Sequence, residues 1–148
     1  MVDTVMRILR LGARGYSCSQ ILLAMALEDR GAENPDLVRA MAGLAYGCGG
    51  GRATCGALTG GCCLLALYAG KGADSETASE RLPLMLQELA EAFAARQSAP
   101  DAGLTCEALV GEQGPAASLH DCGKRVADTY ALTMDILIRN GFDPFGGQ

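Results

Sequence analysis

The stretch Thr54-Cys55-Gly56-Ala57-Leu58-Thr59-Gly60-Gly61-Cys62-Cys63-Leu64-Leu65-Ala66-Leu67-Tyr68-Ala69 carries no charged side chain and no polar face. A helix that is apolar nearly all round must be covered by its neighbours on every side, so this stretch predicts the axis of a helical bundle. Its apolar part, 57–69, falls short of the ~20 residues that span a bilayer and reads as a core helix. Gly56 and Gly60 lie one turn apart and strip side chains from one face, which invites close approach by another backbone or a cofactor.

Before this helix, Gly47-Cys48-Gly49-Gly50-Gly51 is too rich in glycine to sustain a helix and reads as a loop free to adopt positive φ. Three helices are predicted ahead of it. The first runs past Val5, Ile8 and Leu11 to Gly12. Ser17 caps the second, which begins at Cys18 and ends at Gly31. Pro35 opens the third, which runs toward Gly47. After the central helix, Ser75 is expected to cap a helix to about Ala95, kinked by Pro83. Thr105 then caps a short helix carrying Cys106, Ala108 and Leu109, and Asp121 caps a last helix from Cys122 to about Asn140. No segment alternates polar and apolar residues between hairpin signals. The prediction is an all-α, single-domain bundle of about six to seven helices over residues 1–148, with 141–148 a flexible tail.

The 148 residues allow one core, and 49% hydrophobic with 20% charged residues is the composition of a folded globular chain. A net charge of −5 offers no basic stripe for phosphates, so nucleic acid and anionic membranes are poor partners. The N-terminus has no apolar run before a small-residue cleavage site, so a cytoplasmic location is expected. Seven cysteines in a reducing compartment point to metal binding or thiol chemistry rather than structural disulfides.

Four of those cysteines directly follow a capping residue: Ser17-Cys18, Thr54-Cys55, Thr105-Cys106 and Asp121-Cys122. Each is expected to open a helix, where unpaired N–H groups and the helix dipole favour thiolate over thiol. Burial alone has no reason to select a helix's first turn, so Cys18, Cys55, Cys106 and Cys122 are the candidate redox or metal-ligating set. Cys62 and Cys63 lie among leucines and suit core packing better. Cys55 and Cys62 are ~10.5 Å apart along one helix, too far for a mutual disulfide. Cys48 could arrive from its loop as an extra ligand or resolving thiol, and Gly49, Gly50 and Gly51 are expected to give the site backbone donors and close approach. His120, two residues before Cys122, suits a solvent-facing position better than a ligand's. The absence of Cys-x-x-Cys, Cys-x-x-Cys-His and Gly-Lys-Ser/Thr leaves zinc ribbon, thioredoxin-type, c-type haem and nucleotide-binding readings without support.

Cys55-Gly56-Ala57-Leu58-Thr59-Gly60 resembles the Cys-Gly-Ala-x-x-Gly motif of the redox-active C-GCAxxG-C-C family. Gly15-Tyr16-Ser17-Cys18-Ser19-Gln20 is similar to that family's first cysteine site, and Cys106-Glu107-Ala108-Leu109-Val110-Gly111 and Cys122 to its third and fourth. The resemblance covers about residues 10–140 and implies redox activity at the four cysteines. A similar module accompanies haem domains in split-Soret cytochromes together with an iron–sulfur centre, and this resemblance favours a cluster, [2Fe–2S] most simply, without haem. Cys48, Cys62 and Cys63 are additional to the family pattern.

Four readings follow. The first is an electron-transfer module with a cysteine-ligated iron–sulfur cluster. The second is a metal-free thiol–disulfide protein, with Cys18–Cys55 and Cys106–Cys122 as the guessed pairs. The others are a structural zinc site and a scaffold subunit receiving a partner helix on the Gly56 and Gly60 face. A redox partner protein is expected, and a homodimer is compatible. No acid–base pair or substrate pocket marks an enzyme, which leaves an accessory redox protein as the simpler expectation.

Overall fold

The computed structural model describes residues 2–97, 100–111 and 119–146. Its α-helices are α1 (Val2–Ala13), α2 (Cys18–Asp29), α3 (Pro35–Met41), α4 (Ala45–Cys48), α5 (Gly56–Ala69), α6 (Leu82–Ala95), α7 (Cys106–Val110) and α8 (Leu119–Arg139). Short 3₁₀ turns occupy Ala42–Leu44 and Pro100–Ala102. Among the described residues no strand forms, so the architecture is all-α as expected. No helix among them is long and apolar enough to cross a membrane.

The core is built around two helices rather than one. α5 packs against α2, α6 and α8, and Leu64 and Leu65 are fully buried there. α2 is equally apolar, with Leu22, Leu23, Met25 and Ala26 fully buried. Burying a side chain of this size contributes about 1.5–3 kcal/mol each. Glycines set how closely the two approach. A Cβ at Gly60 would lie 3.0 Å from Ser19 Cα, and one at Gly61 would lie 2.6 Å from Thr129 Cγ2 on α8. Close approach at Gly60 therefore serves helix packing, with α2 as the occupant.

Several boundaries differ from the sequence expectation. The third helix stops at Met41, because the chain turns 3₁₀ and then left-handed before Gly47. Ser75 caps nothing; α6 starts at Leu82, and Pro83 falls in its first turn, where its missing N–H costs no bond, rather than kinking it. α8 begins at Leu119, so Asp121 lies inside its first turn instead of capping it. The expected loop after Val110 falls largely on 112–118, outside the described residues, as do the side chains of His120 and Asp121. Part of the expected flexible tail is anchored. Pro144 is buried and its carbonyl accepts from Tyr68 Oη at 2.8 Å, which ties the chain end to α5.

Candidate functional site

Each of the four predicted cysteines stands at the beginning of a helix. Cys18 is the first residue of α2, behind Ser17, whose N–H donates to Gln20 Oε1 at 3.1 Å. Gln20 also donates to the Val38 carbonyl at 3.2 Å, which ties this helix start to α3. Cys106 is the first residue of α7, where Thr105 Oγ1 accepts from the Ala108 N–H at 3.1 Å. Cys55 sits one place earlier than expected, at the N-cap of α5 itself. Thr54, one place before that cap, pairs in an antiparallel bridge with Thr105. Cys122 lies within the first turn of α8.

That bridge also aligns two of the cysteines. The Cys55 N–H donates to the Leu104 carbonyl at 2.8 Å, and the Cys106 N–H to the Ala53 carbonyl at 3.1 Å. Cys18 approaches from the other side, with Sγ seated so that a Cβ on Gly56 would come within 2.8 Å of it. Gly56 thus admits a sulfur. Cys18 lies close enough to Cys55, Cys106 and Cys122 for each of their charges to act on it, and Cys106 likewise feels Cys55 and Cys122. The four cysteines are neighbours in one region.

Electrostatics there run opposite to the expectation from helix dipoles. Burial, reinforced by the negative charge of Cys55, raises the Cys18 thiol to about 11, against the lowering effect of the Ser19 N–H. Burial and the other cysteines raise Cys106 as well, against the opposing charge of Arg125. Desolvation of a buried thiolate outweighs one helix terminus, and each additional thiolate makes ionisation harder. Among the described residues no group of three or more His, Cys, Asp or Glu side chains is arranged to hold a metal ion. The thiols gather without forming a chelating set.

The loop that leads into Cys55 is wound left-handed. Tyr46 (φ 57°, ψ 39°), Gly47 (φ 59°, ψ 54°) and Cys48 (φ 58°) all lie in the left-handed region. For Tyr46 and Cys48 that costs roughly 1–2 kcal/mol each. The turn is held by Gly49 N–H to the Ala45 carbonyl at 2.9 Å and Gly51 N–H to the Tyr46 carbonyl at 2.8 Å. It seats Gly47 against the site, where an added Cβ would meet the Ala53 carbonyl oxygen at 2.5 Å and Cys106 Cβ at 3.0 Å.

The remaining predicted residues lie elsewhere. Cys48 is exposed and lines a cleft of about 470 Å³ with Ser17, Gln20 and Tyr46. Cys62 and Cys63 are half-buried against the core further along α5, each raised mainly by burial. The N–H groups of Gly49 and Gly51 close the left-handed turn, and the Gly51 carbonyl accepts from the Glu107 N–H at 2.8 Å. Gly49 and Gly50 have nothing within 4 Å of an added Cβ, so the close approach expected of them belongs to Gly47. Gly50→Val is accordingly expected to change thermal stability by less than about 1 kcal/mol and leave the cysteine site intact. A thermal melt together with a thiol count checks it.

Two residues that the sequence reading did not single out matter here. Gly47 is one, hidden among neighbouring glycines. Arg125 is the other, one helical turn beyond Cys122, with Nη1 at 4.0 Å from Cys122 Sγ. An arginine three residues after a first-turn cysteine was the available signal.

The family model described as "Putative redox-active protein (C_GCAxxG_C_C)" matches residues 16–136. No curated protein and no solved structure matches the chain.

Proposed function

Since the chain belongs to the redox-active C_GCAxxG_C_C family, we propose that it is an electron-transfer module in which Cys18, Cys55, Cys106 and Cys122 hold an iron–sulfur cluster, most simply [2Fe–2S]. The observation that carries this reading is the gathering of four cysteines from the starts of four different helices. The donor set fits on chemical grounds: iron–sulfur centres are held by cysteine thiolates, and four soft sulfur donors are present.

When bound, the cluster supplies one-electron exchange at a potential tuned by hydrogen bonds and burial. The chain's own residues do the rest. Cys18 and Cys106 are buried thiols with raised pKa, hence poor nucleophiles at neutral pH; a pKa of about 11 leaves only about one Cys18 in 10⁴ ionised. Holding a metal there would require these thiols to give up their protons, with the metal's charge offsetting the repulsion among the thiolates. The Ser19 N–H donates toward the Cys18 sulfur. Burial at Cys55 and Cys106, 8% and 7% exposed, excludes water from the centre. A redox partner protein delivers or removes the electron, and a reducing cytoplasm suits the chemistry.

A second reading, thiol–disulfide exchange without metal, is favoured by one observation: the thiols are neighbours close enough for their charges to act on one another. Raised pKa values weigh against it, because exchange begins with a thiolate. The test is to purify the protein without oxygen, then reduce it with dithionite and reoxidise it while recording visible absorbance. Reversible bleaching supports the cluster. A colourless protein whose titratable thiol count changes between the two states supports the dithiol reading instead.

A further inference from the structure

We propose that the cavity between the end of α6 and the first half of α8 binds inorganic phosphate, a role that does not depend on the redox reading. The cavity holds about 230 Å³, below the ~300–1,000 Å³ of sites for drug-sized ligands, so its size suits a small ion. Arg96, Lys124, Arg125, Asp128 and Thr129 are among its lining residues, three cations against one carboxylate. A net charge of −5 speaks against a broad basic surface and leaves room for such a local cluster.

The three cations differ in what they already hold. The Arg96 side chain is exposed and makes no hydrogen bond or ion pair among the described residues, so its planar fork of donors is open to an oxyanion. Arg125 is fixed in place: Nε donates to Gln97 Oε1 at 3.1 Å and Nη2 to the Leu109 carbonyl at 2.9 Å. Both acceptors are neutral and position its charge without cancelling it. Lys124 Nζ donates to Asp128 Oδ2 at 2.9 Å and keeps its other donors. The last carbonyls of α6 do not compete for these groups, because the Phe93 carbonyl accepts from Gln97 Nε2 at 2.8 Å and the Ala94 carbonyl from the Gln97 N–H at 3.2 Å.

Two further observations point to the ligand. Thr129 is fully buried beside the cavity, yet its Oγ1 has no hydrogen-bond partner among the described residues. Buried hydroxyls are ordinarily bonded, and an oxyanion oxygen is the acceptor this one lacks. Asp128 selects among oxyanions, since its Oδ1 makes no hydrogen bond among the described residues and a carboxylate only accepts. It repels sulfate but takes the P–O–H of hydrogen phosphate, which is doubly charged and still protonated.

The experiment is isothermal titration calorimetry of the full chain with inorganic phosphate, sulfate and glycerol 3-phosphate at constant ionic strength, on the wild type, R96Q, T129V and D128N, with a thermal melt of each. The wild type is expected to bind phosphate about tenfold more tightly than sulfate or the ester, whose dianion carries no P–O–H, and its Tm should rise with phosphate as mass action requires. R96Q should lower phosphate affinity about tenfold, the worth of one charge-assisted hydrogen bond, with its Tm in the absence of phosphate unchanged. T129V, which keeps the shape and removes the hydroxyl, should lower the affinity as well. D128N should bring phosphate and sulfate close together. Phosphate that gives no more heat than chloride, or that binds R96Q and T129V as it binds the wild type, overturns the site. Sulfate bound as tightly as phosphate by the wild type, or a D128N protein that keeps the full preference, overturns the assignment to phosphate.

Discussion

Cys18→Ser, Cys55→Ser, Cys106→Ser and Cys122→Ser are each expected to abolish the dithionite-sensitive absorbance and strip the protein of iron, while Cys62→Ser and Cys63→Ser leave both near wild-type values. The asymmetry follows from position. The first four stand at helix starts that meet in one region, whereas Cys62 and Cys63 pack half-buried against the core farther along α5. Losing an outer-shell partner of a metal already costs about 10–100-fold in affinity, so losing a ligand should exceed that. Iron analysis and visible spectra of the six variants check the pattern. Uniform tolerance of all six substitutions would remove the basis for the site.

Gly47→Ala is expected to give the largest effect of any glycine in the loop. The new Cβ would lie 2.5 Å from the Ala53 carbonyl oxygen and 3.0 Å from Cys106 Cβ, at a φ of +59°. The left-handed conformation alone costs about 1–2 kcal/mol for a residue with a Cβ, and overpacking adds about 1–3 kcal/mol. A total near 3 kcal/mol corresponds to a fall in Tm of about 10 °C for a chain of this size. Because Ala53 accepts from the Cys106 N–H at 3.1 Å, any shift of Ala53 carries Cys106 with it. Gly47→Ala should therefore weaken cofactor retention as well as stability, in contrast to Gly50→Val. Calorimetry and iron content of the two variants side by side give the answer, and equal behaviour would make the loop a mere connector.

How much of this was legible in the sequence depends on whether local or distant contacts decide each feature. The helices were, because their apolar periodicity and caps are local; Ser17 before Cys18 and Thr105 before Cys106 lie where those signals put them. The N-cap of α5 falls on Cys55 rather than Thr54, and the bridge of Thr54 to Thr105, fifty-one positions away in sequence, leaves no mark in the residues around it. The left-handed turn runs against local preference at Tyr46 and Cys48. The turn leads into residues 51–55, which pair with 104–107, a contact the local sequence does not reveal. The direction of the thiol pKa shifts was also hidden. Helix starts favour thiolates, but the depth of burial and the presence of three neighbouring cysteines depend on how the helices pack, and those two effects dominate at Cys18.

The placing of the cysteine set at or near helix starts was readable, since a capping-type residue before each of four cysteines is a sequence fact. Its convergence was not, because nothing in the spacing of residues 18, 55, 106 and 122 requires those helix starts to meet. Arg125, with Nη1 at 4.0 Å from Cys122 Sγ, is held by Gln97 and the Leu109 carbonyl.

The measurement that bears most directly on the central claim is the iron, zinc and acid-labile sulfide content of the protein purified without oxygen. Four cysteines holding an iron–sulfur cluster predict iron and sulfide together, in equal amounts and in fixed proportion to the chain. Zinc alone, or neither metal nor sulfide with the thiols titratable, would contradict it.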